Sequence, residues 1–455
     1  MATQQSFEQA VAEFIELTKR ELGKEALEHL PPPPPSPFDQ SGPPFETSHR
    51  FDERTIRNFV LSIGDDNPLF VDPDYGANSI YGSQIAPGPI LALARYPSAH
   101  GVVRPLGYPM ANFISGTAWE FYDVIRAGSK FRSSKVTKEL LERDGSQGKL
   151  IFLISETFYW DFHGDLPAKS YGTQIMVPQQ NMGSTRTVPL ERLGKQMMYK
   201  RKASGYSEHQ INEYVDQIEK FTRRGSDPLY WEDVKIGDKI GPLVMPPWSL
   251  QDMIARHFMD YCADVLTPKS DKLPHLAADA LAFEPLYRRA KGKGSGGRIH
   301  PVTRWPWAAG NEHEDALMAI YRGQPGPFDF GVQRVQIPQK LLSDWAGDHG
   351  FIRRLYIALR KPTFYGDVSI YSGEVVQKFK ETQEGDSLPG GHPGRNEYCA
   401  VGISISGMNQ VGESHAPGTA TVYLPSKNNG PVILPVPHVS RPPFVGYEEY
   451  RKDWY

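Results

Sequence analysis

The feature that most limits what this chain can fold into is an internal repeat. D-M-I-A-R-H-F-M-D-Y-C-A-D (252–264) echoes the run from Asp52 to Asp65. P-G-P-F-D-F-G (325–331) echoes I-A-P-G-P-I-L (85–91), and the run 353–375 echoes the one that begins at Ala118. The period is about 200 residues, much longer than a solenoid repeat, and the logic of self-similarity is the same. Two similar halves in one chain make a pseudo-dimer. A length of 455 residues fits this, being too long for one ordinary core.

Along the chain, residues 6–29 read as a helix, with Ser6 and Gln9 as a capping box and Phe7, Val11, Phe14, Ile15 and Leu17 near a 3.6 period. Pro31 to Pro35 end it and favour a stiff extended spacer. Residues 51–61 read as a short helix, and Tyr81 to Tyr96 as a long, mostly apolar central helix. Strands are expected over 115–125, 150–160 and 170–177, separated by the turn chemistry of A-G-S-K and D-G-S-Q-G. Residues 178–205 are polar and weakly patterned. A second capped helix follows, Ser207 with Gln210, presenting Ile211, Tyr214, Ile218 and Phe221 on one face for packing between the halves. The second half brings strand patterns at 398–406 and 417–425.

The stretch I-G-D-D-N-P-L-F-V-D-P (63–73), the G-P-I-L that follows, and the closing N-Q-V-G-E-S-H-A-P-G-T-A-T-V-Y-L-P (409–425) resemble the MaoC-like hydratases and dehydratases of the two-unit type. The resemblance covers most of 45–180 and 227–426. It implies an α+β double hot-dog fold, in which two antiparallel sheets each wrap a central helix. The corresponding division is an N-terminal helix and Pro-rich spacer over 1–44, hot-dog units over 45–180 and 227–426, a linker with a helix over 181–226, and a tail over 427–455. It also implies reversible hydration of an enoyl-CoA to a 3-hydroxyacyl-CoA. Coenzyme A then enters as part of the substrate, and neither a further cofactor nor a metal is expected.

That chemistry needs an acid/base group, a second group that shares the proton, and a donor for the enolate oxygen. The family carries a histidine where this chain has Phe70, so the first copy reads as scaffold, with Asp65 and Asn67 kept as substrate-side residues. The second half supplies an imidazole. His313 stands 18 residues before Gly331, as Phe70 stands 18 before Gly88. The histidine position therefore falls on His313, the oxyanion donor on the Gly331 N–H, and the carboxylate partner first on Asp264, with Asp260 and Asp329 as alternatives. A capping or surface role for His313, and a pure packing role for Gly331, stay open beside this. Asp329 is also a substrate-binding candidate, and Arg298, with Lys291 and Lys293, is a candidate for coenzyme A phosphates.

Other motifs lead nowhere. Gly292, Gly294 and Gly297 match G-x-G-x-x-G, but no strand precedes them and no helix pattern follows. No Cys/His spacing suggests zinc. A net charge of -3 gives no nucleic-acid footprint. No run of about 18 apolar residues suggests a membrane span. Two cysteines, Cys262 and Cys399, make no disulfide framework, which places the expected location in the cytoplasm. A second copy of the chain is a candidate partner. A thioesterase and a non-catalytic acyl-thioester binder on the same fold are the alternative functions.

Overall fold

The computed structural model describes residues 6–24, 46–97, 110–145, 148–161, 165–178, 205–255, 313–321, 324–386 and 394–439. Its centre is a ten-stranded antiparallel sheet in the order β1-β5-β6-β7-β3-β9-β12-β11-β10-β8. The first half contributes β1 (Glu46–Phe51), β3 (Met110–Phe121), β5 (Ser129–Gly145), β6 (Gly148–Asp161) and β7 (Ala168–Pro178). The second contributes β8 (Lys239–Met245), β9 (Phe351–Ala358), β10 (Ser369–Gly385), β11 (Gly394–Asn409) and β12 (Gly418–Tyr423). A small β2 (Ile85–Ala86) pairs with β4 (Ile125–Arg126). Five strands match five by order, so the repeat in the sequence is a repeat in the fold, a double hot-dog.

The two sheets are not separate. β3 pairs with β9 from Gly116↔Ala358 to Glu120↔Arg354, so each half covers an edge the other would leave open. Glu120 is seated at the end of this joint. Lys169 Nζ lies 3.1 Å from it, Arg353 Nη2 3.4 Å and Arg354 Nε 3.5 Å. Burial alone would raise the Glu120 pKa, but the three cations hold the carboxyl well below the usual carboxylate range. Arg353 also donates to the Phe121 carbonyl and lies over the Tyr122 ring.

The helices differ between halves. α1 (Phe7–Arg20) has the expected capping box, and packs Val11, Phe14 and Ile15 on Ile151, Leu153 and Met176. Short α2 (Glu53–Leu61), α3 (Pro68–Val71) and α4 (Pro73–Asn78) lead to the expected central helix, which is far shorter than its pattern suggests. Only a 3₁₀ turn over Gly88–Ile90 and one turn of α5 (Leu91–Ala94) form. Ile85 and Ala86 are taken by the β2–β4 pair, Pro87 and Pro89 allow a helix to begin only there, and Arg95 is already extended ahead of Pro97. α6 (Glu208–Lys220) has its capping box, yet buries no residue: Ile211, Val215 and Ile218 are 49%, 45% and 38% exposed. After α7 (Ala316–Tyr321), the second half has a full central helix, α8 (Gln333–Ala346). It ends at Gly347, φ 71°, where a Cβ would sit 2.7 Å from the Gly225 carbonyl oxygen. Among the described residues no helix is long and apolar enough to cross a membrane.

Removing one cation from the Glu120 cluster uncovers a buried carboxylate. Arg353→Ala is expected to lose on the order of 3 kcal/mol in urea unfolding. Parental stability would show that Lys169 and Arg354 suffice.

Candidate active site

His313 sits in the turn before α7, whose first N–H groups are capped by Asp315, Oδ1 accepting from Leu317 N at 2.8 Å. Its ring is held against the turn that enters α8. His313 Nδ1 lies 2.8 Å from the Phe328 carbonyl oxygen, and the ring centroid is 4.4 Å from that of Phe328 and 4.1 Å from that of Phe330. A carbonyl only accepts, so Nδ1 carries the proton, and in the neutral ring Nε2 keeps the lone pair. The Tyr365 hydroxyl donates to the His313 carbonyl. One residue beyond Phe330, Gly331 stands just before Val332, the N-cap of α8. Its N–H has no hydrogen-bond partner among the described residues. A Cβ there would stand 2.4 Å from Ile114 Cγ2 and 2.6 Å from Leu359 Cδ1, so packing requires glycine whatever else its N–H does. The His313 ring thus packs on the turn that carries the Gly331 N–H.

Asp329 lies within that turn but faces away from solvent, at 1% exposure. Its Oδ1 accepts from Thr363 N at 3.0 Å, and its Oδ2 is 2.7 Å from Arg334 Nε, an ion pair in distance though not aligned as a hydrogen bond. Burial pushes the Asp329 pKa up to about 6 against the pull of Arg334. A buried, paired carboxylate at this place holds the turn. Asp264, Asp260 and Arg298 lie outside the described residues.

Reasoning from sequence missed His415 and Tyr371. Both are fully buried, their rings meet edge to face at 5.3 Å, and neither the two imidazole nitrogens nor the tyrosine hydroxyl has a partner among the described residues. Burial pushes the His415 pKa down to about 3, so the ring is neutral. His415 belongs to the closing motif 409–425, but nothing in its spacing points to this contact.

The first-half turn is built as its composition suggests. Asp65 Oδ1 accepts from Asn67 N at 3.1 Å, and Asn67 Oδ1 caps α3 through Leu69 N at 3.1 Å, with Pro68 opening the helix. Asp65 then meets the other half: Lys340 Nζ of α8 is 3.6 Å away and also 2.7 Å from Asp344. Arg223 extends the cluster, pairing with Asp344 at 2.8 Å and with Asp66. Burial, with Asp344 nearby, pushes the Asp65 pKa up to about 6 despite Lys340.

Beside this turn lies a small, partly open cleft shared by both halves, with a cavity volume of about 70 Å³. Phe70, Ile85, Phe121 and Phe351 give it apolar walls, and Asn67 and Asp348 add polar groups. Gly88 lines it too; a Cβ there would stand 2.1 Å from Phe121 Cε1. Phe70, standing at the family's histidine position, is wall and not acid or base.

This fold has counterparts among solved structures. A solved structure described as a MaoC-like dehydratase superposes with a TM-score of 0.52 at 15% identity, covering 84% of this chain and 97% of that one. At this identity the likeness is one of fold. Two others are weaker: a MaoC domain dehydratase from Chloroflexus aurantiacus (TM-score 0.44, 13% identity, 84% and 95% covered) and a MaoC-like dehydratase from Phytophthora capsici (0.41, 9%, 82% and 93%). In sequence, residues 46–168 match the family described as the FAS1-like dehydratase domain region. No curated protein matches the chain. The resemblance to MaoC-like dehydratases noted in the sequence thus recurs in the fold of most of the chain, and the dehydratase-region family match falls within its first half, at 46–168.

The Asp65 pKa has a consequence for stability. The folded value, about 6, lies above the ordinary 3.8, so the folded state holds this proton more tightly. The stability this gives is fully present below the ordinary value and is lost as pH rises through the folded one. Asp65→Asn removes the charge and keeps the acceptor for Asn67 N. It is expected to be more stable than the parent at about pH 8, by on the order of 2 kcal/mol, with the gap closing as pH falls towards 4. A variant less stable at the higher pH would show that attraction to Lys340 outweighs burial.

Proposed function

We propose that the chain is a hydro-lyase that reversibly hydrates an enoyl-CoA thioester, with His313 as its acid/base group. The observation that carries this is the His313 ring, fixed through Nδ1 by the Phe328 carbonyl, one short turn from the Gly331 N–H, which has no partner among the described residues and lies just ahead of α8. In the hydration direction, His313 Nε2 takes a proton from water as the water oxygen bonds to the β-carbon of the substrate. The π electrons move to the thioester oxygen, which becomes an enolate oxygen. The Gly331 N–H stabilises that charge, helped by the positive end of α8. The α-carbon then takes a proton from a carboxyl partner, and the imidazolium returns its proton to that carboxylate. Asp264 is the first choice for the partner from its place in the sequence. A histidine suits both directions because its ordinary pKa is near 6.5.

The first-half cleft supports binding of an apolar acyl chain. Phe70 removes the acid/base group there and adds hydrophobic wall. Gln339, Ser343 and Ala346 of α8 line the cleft, while Gly331 lies two residues ahead of the same helix. At about 1.5 Å per residue, the cleft begins roughly 9 Å along the helix from its first residue, Gln333. A chain of medium or greater length would span that interval. The phosphates of coenzyme A fall to the basic run that includes Arg298, a proposal resting on sequence alone.

The test is loss of enoyl absorbance with a panel of trans-2-enoyl-CoA substrates of increasing chain length. His313→Gln is expected to lower kcat about 10²- to 10⁴-fold while circular dichroism and unfolding stay parental. Undiminished turnover in that variant rules out the assignment. Release of free thiol in place of enoyl loss would mark a thioesterase.

A further inference from the structure

We propose that the buried Asp329–Arg334 pair positions the His313–Gly331 site, a role distinct from contact with substrate; the inference deepens the reading above and rests on it for its kinetic half. The four residues Phe328 to Gly331 form the turn on which the site stands. Phe328 offers its carbonyl to His313 Nδ1, Phe330 packs on the imidazole, and Gly331 presents its N–H. Asp329 is the member of that turn that fastens it to the rest of the fold.

The fastening has two parts. Asp329 and Thr363 bond reciprocally, Asp329 N donating to the Thr363 carbonyl at 2.9 Å and Thr363 N donating to Asp329 Oδ1 at 3.0 Å. This clamps the turn to the loop between β9 and β10. The same loop returns Tyr365, whose N–H donates to the Pro327 carbonyl at 3.1 Å and whose hydroxyl donates to the His313 carbonyl. Arg334, in the first turn of α8, then ties three segments together. Its Nε is 2.7 Å from Asp329 Oδ2, while its Nη1 donates to the Lys361 carbonyl and, at 3.2 Å, to the His415 carbonyl. The turn, the β9–β10 loop and the loop before β12 are therefore fixed to one guanidinium.

Stability alone does not account for this arrangement. Asp329 and Arg334 are 1% and 6% exposed. A buried ion pair is often neutral or costly compared with apolar residues of the same volume. Around this one, Thr363 Oγ1, Tyr371 Oη and both His415 ring nitrogens are left without partners among the described residues. What the pair gives in return is a defined place for the Phe328 carbonyl, hence one tautomer and one direction for His313.

Asp329→Asn keeps the acceptor for Thr363 N and removes the charge opposite Arg334. The first readout needs no substrate. In protein carrying ¹⁵N-labelled histidine, the two His313 ring nitrogens are assigned by their loss in His313→Gln. They are measured at about pH 8.5, above the ordinary imidazole range. Widely separated shifts are expected in the parent, as for one fixed tautomer, and shifts drawn towards each other in Asp329→Asn. The second readout is kinetic: kcat on the best enoyl-CoA falls about 10- to 100-fold, with KM within about twofold. Arg334→Lys, a milder change that keeps the charge, is expected to lie between the parent and Asp329→Asn in both, and serves if the Asn variant does not fold. Unchanged His313 shifts in a folded variant overturn the proposal. Shifts that converge in a protein whose parent hydrates no enoyl-CoA sustain the positioning role and refute the hydratase reading.

Discussion

The pairing of β3 with β9 is the constraint on which the rest depends. Hot-dog sheets curl around a helix and leave an edge, and an unpaired edge is open to any other strand. Here each half closes the other's edge, and five register pairs from Gly116↔Ala358 to Glu120↔Arg354 make the joint continuous. The charged cluster at its end fixes the register. Glu120 finds Lys169 from its own half and Arg353 and Arg354 from the other, and a one-residue slip would turn these side chains to the opposite face. Because the halves are locked in this way, α8 of the second half lies against the Asp65 turn of the first, which takes Lys340 as its partner.

Within that near-symmetric frame the two copies have diverged for identifiable reasons. Prolines at 87, 89 and 97 leave the first copy a single turn of helix, whereas α8 runs for 14 residues even with Pro338 inside it. Glycine is demanded at both helix entries by packing, from Phe121 at Gly88 and from Ile114 and Leu359 at Gly331. The copies differ in what stands 18 residues earlier: a phenylalanine in the wall of a cleft, and a histidine with its tautomer set by a carbonyl. One copy has an apolar cleft at this place, and the other an imidazole fixed in one orientation.

Much of this was legible from residue order. The repeat, both capping boxes, the Asn67–Pro68 helix start and the common spacing to Gly88 and Gly331 are local or periodic signals, and each has a local physical cause. What escaped depends on strand pairing and on contacts between side chains that no pattern marks. β5 is rich in Lys and Glu, poor strand formers, and exists because β6 pairs with it from Phe131↔Asp161 to Gly145↔Gly148. The apolar stripe of α6 promises a packed face that the fold does not provide. Asp65 facing Lys340 and His415 meeting Tyr371 are contacts between segments far apart in the chain, and Asp329 meets Arg334, five residues on, only because its side chain is buried, so no periodic spacing announces any of the three. Asp329 looked like a residue for substrate because it stands next to the site in sequence; its burial turns it inward.

α8 draws these observations together. A helix buried on nearly every side is normally apolar all round, yet this one buries Gln333, Arg334, Gln336, Gln339, Lys340 and Asp344. Its charges fall into two groups. Arg334 at the N-terminal end holds the His313 turn through Asp329, and Lys340 with Asp344 towards the C-terminal end holds the Asp65 turn beside the cleft. Such a helix is expensive as core and useful as a ruler, because a rigid element of fixed rise sets the distance between the turn with the imidazole and the turn with the apolar cleft. A thioester bound at one end and an acyl chain lodged at the other would be measured against the same backbone. On this view the polar residues of α8 are retained not to hold the halves together, which the β3–β9 joint already does, but to fix two turns at a set separation.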